Sequence, residues 1–152
     1  MSELRSEFLL RVSADLDAPR VLDEAPRGTR LIMHFAGGAF SGPRLKGQVL
    51  PGGGDWVLLR RDGVAELDIR LTLRTDDGAM IYARCDGIFH STPEIRERIR
   101  NGEDVDPAEY YFRTAPRFET GVQNYLWLNR LLAVGMGRRT ATGMVTEIFA
   151  IR

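Results

Sequence analysis

A strict alternation of apolar and polar side chains over residues 65–74 constrains the fold more than any other feature of the chain. The segment AELDIRLTLR places an apolar residue at every odd position and a polar residue at every even position. A period of two residues is typical of a β-strand with one buried face and one exposed face. Asp77-Gly78 then gives a turn signal before a second β-compatible run over residues 79–89, so this region predicts a long β-hairpin.

Further strand signals are distributed along the rest of the chain. Strands are predicted over residues 7–14, 30–35, 56–60, 110–118, 125–134 and 142–151. Loops are predicted over residues 19–26 and 135–139, and Pro116 is predicted to break its strand. The connections between these strands are short, as in hairpins.

Residues 92–100 (TPEIRERIR) carry the one convincing helix signal. The Thr-Pro pair suits an N-cap followed by the first helical position, and the Asn-Gly pair that follows the segment suits a helix end. Ile95 and Ile99 form a single apolar i,i+4 pair, so the helix is predicted to lie on the surface.

These elements predict an all-β fold in which residues 1–152 form a single domain. About eight to ten strands with hairpin-type connections are expected of an antiparallel barrel or sandwich. An antiparallel closed β-barrel with one short surface helix is favoured, because long strands with unprotected edges tend to aggregate.

Composition argues against several classes of partner. Lys and Arg together number 21, as do Asp and Glu, so the chain carries no net charge that would hold a nucleic-acid backbone. The same balance removes electrostatic repulsion between copies, so a homo-oligomer is expected. No apolar run approaches the roughly 18–20 residues that cross a bilayer, and no secretion signal is recognised, so no membrane association is expected. The single cysteine, Cys85, has no internal disulfide partner, which favours the cytoplasm.

No cofactor or metal site is predicted. His34, His90 and Cys85 do not occur at the spacing of a ligand set. The glycine-rich stretches lack both the spacing and the following Lys-Ser or Lys-Thr of a phosphate-binding loop, so they are interpreted as turns.

Aromatic and charged residues share strand faces at several places, and this pattern predicts a small-molecule site. If these faces line the barrel, rings would form its walls and guanidinium groups would bind a carboxylate. The alternative is that the charged faces are wet exterior and the aromatic rings fill the core. The predicted ligand-binding residues are Trp56, Arg70, Tyr82, Arg113, Trp127 and Asn129.

Asp55 precedes Trp56 at the end of a run of three glycines. A carboxylate that is desolvated beside an indole could act as an acid or base near neutral pH. The alternative is that Asp55 caps the turn through neighbouring backbone groups. The candidate acids and bases are Asp55, Asp68 and Glu119.

Four blocks of sequence together resemble one known family. They are GPRLKGQVLPGGGDW (residues 42–56), RDGVAELDIRLTLRTDDGAMIYARCDG (residues 61–87), YYFRTAPRFET (residues 110–120) and YLWLNRLLAVGMG (residues 125–137). In this order they resemble domain-of-unknown-function family thirty-two thirty-seven, also called uncharacterised protein family three-eleven. The resemblance implies a compact antiparallel β-barrel of bacterial and fungal proteins that are often oligomeric. It implies no reaction and no set of catalytic residues.

Three functions remain open on the sequence. The first is a β-barrel that binds a small aromatic or anionic molecule in an internal pocket. The second is a cofactor-independent enzyme, a lyase, isomerase or hydrolase that acts on small aromatic compounds. The third is a structural or assembly protein whose barrel interior is packed solid.

Overall fold

Antiparallel strands account for most of residues 2–152, the part of the chain that the computed structural model describes; Met1, which the predicted domain includes, lies outside it. The strands are β1 (Ser6–Leu16), β2 (Arg20–Ala25), β3 (Gly28–Ser41), β4 (Lys46–Val49), β5 (Gly54–Arg60), β6 (Ala65–Thr75), β7 (Met80–His90), β8 (Tyr111–Glu119), β9 (Ala133–Arg139) and β10 (Gly143–Ile151). One α-helix, α1 (Pro93–Arg100), and two 3-10 helices, Pro107–Glu109 and Gln123–Arg130, complete the elements.

The strands close into a barrel, as predicted. Neighbours follow the order β1-β10-β9-β8-β7-β6-β4-β3, and β1 pairs with β3 to complete the ring. Both β4 and β5 pair with β3 on one side and β6 on the other, so they lie end to end in one of the eight strand positions. Strand β2 pairs with β3 beyond the end of β1 and lies outside the ring.

The alternation in β6 is the physical basis of the barrel wall. Its odd-numbered residues are buried, among them Ile69 and Leu73, which are 1% and 0% exposed, while its even-numbered residues face outward. Strand β7 pairs with β6 through ten residues, from Ala65↔Phe89 to Arg74↔Met80, and repeats the pattern. The predicted hairpin is therefore confirmed.

Helix α1 lies on the surface with the predicted N-terminus. The hydroxyl oxygen of Thr92 accepts a hydrogen bond from the backbone N–H of Ile95 at 3.3 Å. Ile95 and Ile99 pack against the core from one end of the barrel, although neither is fully buried. No helix in residues 2–152 is both long and apolar enough to cross a bilayer.

Two predicted loops are strands. Residues 19–26 contain β2, whose register against β3 shifts between Leu22 and Ala25. Residues 135–139 belong to β9, where Gly135 and Gly137 face the interior. A Cβ at Gly135 would lie 2.2 Å from Thr114 Oγ1, so the glycine provides space between packed strands and does not mark a turn.

Two further expectations are also wrong. Residues 125–134 are not a strand, because most of them form the 3-10 helix Gln123–Arg130, which buries Leu128 against the core. Pro116 does not break β8 but pairs with Cys85 of β7 and points into the barrel. The apolar residues of the 3-10 helix fit both a strand and a helical pattern, so the sequence alone did not separate the two.

Candidate functional site

One end of the barrel holds a pocket of about 400 Å³. Strands from around the ring contribute to it, and α1 together with the loops at residues 17–19 and 140–142 forms its mouth. Most of the wall is apolar. Its apolar lining includes Met33, Val57, Leu67, Phe89, Phe112 and Met144.

Asp55 places a carboxyl group in this apolar wall. It lies on β5 between Met33 of β3 and Ile69 of β6, and it is 5% exposed. Burial raises the pKa of Asp55 to about 7, because the charged carboxylate loses its hydration; a hydrogen bond from Asp68 and the charge of Arg139 partly oppose this effect. The carboxyl can therefore accept or release a proton near neutral pH.

A local opening of the sheet positions the Asp55 carboxyl. The pairing of β5 with β6 stops after Asp55↔Ile69 and resumes at Leu58↔Glu66. Within the opening the backbone N–H of Asp68 donates to Asp55 Oδ1 at 3.1 Å. The carboxyl thus takes the place of a backbone acceptor, while its Oδ2 makes no hydrogen bond within residues 2–152 and remains accessible.

Arg139 supplies a guanidinium group to the same pocket from the end of β9. Its backbone N–H donates to the hydroxyl oxygen of Tyr110 at 2.9 Å, which fixes the end of the strand. Burial lowers the pKa of Arg139, opposed by the negative charge of Asp55. The ion pairs formed within residues 2–152 do not include one between Arg139 and Asp55. Both groups therefore face the pocket without neutralising each other by direct contact.

The remaining charged residues of the pocket lie at its mouth. They are Asp17, Arg96 and Arg100. Arg96 donates from Nη2 to the carbonyl oxygen of Gly63 at 3.2 Å and so ties α1 to the turn between β5 and β6. The mouth is more polar than the interior, as in many small-molecule sites.

Four of the residues predicted from the sequence lie together on the outside of the barrel. Asp68, Arg70 and Tyr82 have the opposite strand parity to the buried residues of β6 and β7, and Trp56 of β5 is half-buried beside Arg70. The Arg70 guanidinium lies 5.9 Å from the Trp56 ring centroid and forms an ion pair with Asp68 at 3.4 Å. The expectation that these side chains converge on the interior is wrong, because the alternation places charges on the wet face.

Arg113 and Glu119 also face outward, on β8. Arg113 donates from Nη1 to the carbonyl oxygen of Phe112 at 2.9 Å, and its guanidinium lies 5.4 Å from the Tyr111 ring centroid. Glu119 is exposed at the strand end opposite Tyr82. Neither residue reaches the pocket.

Trp127 and Asn129 lie on the 3-10 helix Gln123–Arg130, away from the pocket. The guanidinium of Arg44 lies 3.7 Å from the Trp127 ring centroid. The Asn129 side chain accepts from the backbone N–H of Thr120 and donates to its carbonyl oxygen, both at 2.8 Å. Asn129 thus holds the helix to the end of β8, and its amide is occupied by the backbone.

Of the nine predicted residues, the structure places only Asp55 in the pocket. Sequence reasoning missed Arg139 because residues 135–139 were interpreted as a loop. A signal was present, since Ala133, Gly135 and Gly137 are small residues at alternate positions and Arg139 continues their parity. In residues 2–152, no three His, Cys, Asp or Glu side chains are grouped as metal ligands.

Comparisons with known proteins identify the family and the fold. The sequence profile of a family described as "Protein of unknown function (DUF3237)" matches residues 4–151. A UPF0311 protein of Rhodopseudomonas palustris is 36% identical over 148 residues, which make up 97% of each chain. The crystal structure of a conserved protein of unknown function from the same organism superposes with a TM-score of 0.95 at 35% identity, covering 100% of both chains.

Two further solved structures share the fold. A beta-barrel like protein from Acinetobacter baumannii has a TM-score of 0.86 at 36% identity, with 100% of this chain and 98% of that one covered. An enzyme from Penicillium herquei has a TM-score of 0.75 at 20% identity, with 100% of this chain and 97% of that one covered. At that lower identity the likeness shows the fold alone.

Proposed function

The chain belongs to the DUF3237 family of proteins of unknown function, and from the pocket it carries we propose that it binds a small, largely apolar molecule between Asp55 and Arg139. The observation that carries this proposal is a pocket of about 400 Å³ with apolar walls and two facing polar groups. Small-molecule sites commonly occupy about 300–1,000 Å³ and combine apolar walls with a few oriented polar groups.

The lining of the pocket supports a particular kind of ligand. Phe89 and Phe112 offer aromatic surface, with ring centroids 5.6 Å apart in an edge-to-face arrangement. The guanidinium of Arg139 favours an oxygen with negative or partial negative charge. A ring system bearing a carbonyl, phenolic or carboxylate oxygen matches both features. A solidly packed structural barrel would leave no such space, so the cavity argues against that alternative.

Binding can be tested with three bicyclic probes of similar shape: tetralin, 2-tetralone and 2-naphthoate. Thermal-shift and protein-observed NMR titrations should detect the two oxygenated probes, with shift changes at the backbone of Leu67 and Met144, and weaker binding of tetralin. Failure of all three probes to bind would contradict the proposal.

A matched pair of variants separates the pocket from the outer surface. Ala65→Phe adds a ring that points into the pocket, whereas Glu66→Phe adds the same ring to the outer face of β6. We expect Ala65→Phe to abolish probe binding and Glu66→Phe to leave it unchanged. Binding that persists in Ala65→Phe would place the probes elsewhere.

The titration of Asp55 favours a second candidate function, a cofactor-independent enzyme. A pKa of about 7 suits a group that transfers protons at neutral pH. The lyases, isomerases and hydrolases considered from the sequence all need such a group. The Penicillium herquei protein with this fold is described as an enzyme, so the barrel is compatible with catalysis.

A further inference from the structure

Arg139 carries an unsatisfied donor inside the protein. Among the side-chain nitrogen and oxygen atoms of residues 2–152, its Nε is the one that is buried and has no hydrogen-bond partner. Its two terminal nitrogens make no hydrogen bond within the described chain either, but they remain accessible. Buried donors without partners are rare in native proteins, and each one needs an explanation. A guanidinium held without protein partners is available for an oxygen of a bound molecule.

Asp55 carries an acceptor without a hydrogen-bond partner, which complements the free donors of Arg139. Its Oδ1 accepts one hydrogen bond, from the backbone N–H of Asp68, and this bond fixes the orientation of the carboxyl plane. Its Oδ2 has no partner in residues 2–152. The pocket wall beside it is apolar and includes Met33, Val57 and Leu67. A carboxylate oriented by the backbone, with a free oxygen against apolar wall, is arranged as a base for a carbon-bound proton.

We propose that this pocket catalyses proton transfer at a carbon next to the carbonyl group of a small, uncharged ketone, with Asp55 as the base and Arg139 as the donor to the carbonyl oxygen. The inference rests on the proposed binding function. Of the ligands proposed above, an uncharged ketone is the one that can react, because its carbonyl oxygen can accept from Arg139 next to an α-carbon that carries protons, and its binding adds no desolvated charge to the pocket.

The step balances without a co-reactant. The Asp55 carboxylate takes the proton from the α-carbon, and the electrons of the broken C–H bond form a carbon–carbon double bond. The carbonyl π electrons move to the oxygen, whose negative charge is stabilised by the terminal N–H groups of Arg139. The protonated Asp55 then returns a proton to the same carbon or to another carbon of the conjugated system. Nothing is oxidised or reduced, and the product is the substrate or its tautomer.

Arg139 is close enough to act on the charge at Asp55 and yet makes no ion pair with it. A contact pair would hold the carboxylate in its charged form and weaken it as a base, and it would also occupy the guanidinium. Separation of the two groups leaves room for a substrate whose oxygen accepts a hydrogen bond from Arg139 while its α-carbon loses a proton to Asp55.

The test measures exchange of the α-protons of 2-tetralone, 2-indanone and phenylacetone in D₂O by proton NMR. We expect wild-type protein to accelerate exchange in at least one bound ketone, and Asp55→Asn to lower that acceleration by about 10²-fold or more. Arg139→Met should lower it by about 10–10²-fold. The controls Asp86→Asn and Arg138→Met remove the same groups from the outer face and should keep wild-type rates.

The readouts distinguish the two proposals. Ketone binding is followed in the same samples by the shift changes of the protein. Binding without faster exchange than in buffer would overturn the inference and leave the binding function standing. Absence of binding by every ketone would overturn the inference, and absence of binding by tetralin and 2-naphthoate as well would also overturn the binding function. Exchange that persists at the wild-type rate in Asp55→Asn would assign the base to another group and also overturn the inference.

The pH profile of exchange should follow the titration of Asp55, with Arg139, Asp68, Asp17, Arg96 and Arg100 as its charged surroundings.

Discussion

A Cβ atom added to Gly137 would lie 2.4 Å from Cδ1 of Phe112. Gly137 lies on β9 and faces the interior, and Phe112 lies on β8 and is 3% exposed. Because the ring also lines the pocket, the absence of a side chain at Gly137 determines where one aromatic wall of the site lies.

Gly137→Ala is therefore expected to destabilise the protein by about 1–3 kcal/mol, since an overpacked core must shift to accept the methyl group. The shifted ring would also narrow the pocket and weaken probe binding. Gly121→Ala is the matched control, because a Cβ there meets nothing within 4 Å. Denaturant unfolding of both variants checks this, and equal stabilities would show that Phe112 moves freely.

The raised pKa of Asp55 gives stability a defined pH dependence. Its folded-state pKa of about 7 lies above the ordinary value of 3.8, so the folded state binds more protons between these limits. Stability contributed by this group is complete below pH 3.8 and is lost as the pH rises to about 7. The side chain of Asn cannot ionise, so the free energy of unfolding of Asp55→Asn should rise relative to that of wild type across this window. The change should reach ~2–4 kcal/mol at pH 8.

Unfolding by urea at pH 4, 6 and 8 measures that difference. Asp86→Asn, which changes a carboxyl on the outer face of β7, controls for the loss of one charge. A constant difference between Asp55→Asn and wild type over the whole range would show that Asp55 is solvated in the folded protein.

Cys85 is expected to be unreactive in the folded protein. Burial raises the pKa of its thiol to about 12, and the carboxylates of Asp55 and Asp86 act in the same direction. The thiolate is the reactive species, so alkylation by iodoacetamide at pH 8 should be at least about 10²-fold slower than for an exposed thiol. The double variant Cys85→Ala with Ala115→Cys moves the thiol to the outer face of β8 and should react rapidly. Similar rates for the two proteins would mean that the barrel opens often.

The fold was largely predictable because strand alternation reports burial directly. In β6 every inward residue is apolar or Thr75, and the turn at Asp77-Gly78 connects it to β7 as its sequence indicates. What failed was the interpretation of glycine. Gly135 and Gly137 serve close packing inside a strand, and sequence gives the same letter for a turn and for a tight contact.

The site was less predictable for a related reason. Aromatic and charged residues at alternate positions, such as Trp56 and Arg70, suggest a lined pocket but fit equally well on a wet outer face. Parity within one strand does not say which face is inside; the neighbouring apolar residues do. Asp55 and Arg139 are exceptions to the alternation, because each is a charged residue whose side chain lies on the inward face of its strand.

Arg139 itself should reduce the stability of the free protein. Its buried Nε has no hydrogen-bond partner, and burial of the guanidinium lowers its pKa. The desolvation free energy of the guanidinium therefore destabilises the folded state and is not offset by an ion pair. Arg139→Met keeps much of the side-chain volume and removes the charge, so it should stabilise the protein by about 1 kcal/mol, or raise Tm by ~2–4 °C. The neighbouring Arg138 forms an exposed ion pair with Asp104 at 2.7 Å, and Arg138→Met should change stability by less than about 0.5 kcal/mol. Calorimetric unfolding of the two variants compares an inward with an outward guanidinium on the same strand. Loss of stability in Arg139→Met would mean that the guanidinium is satisfied in the folded protein, and its role as a free donor in the pocket would then be wrong.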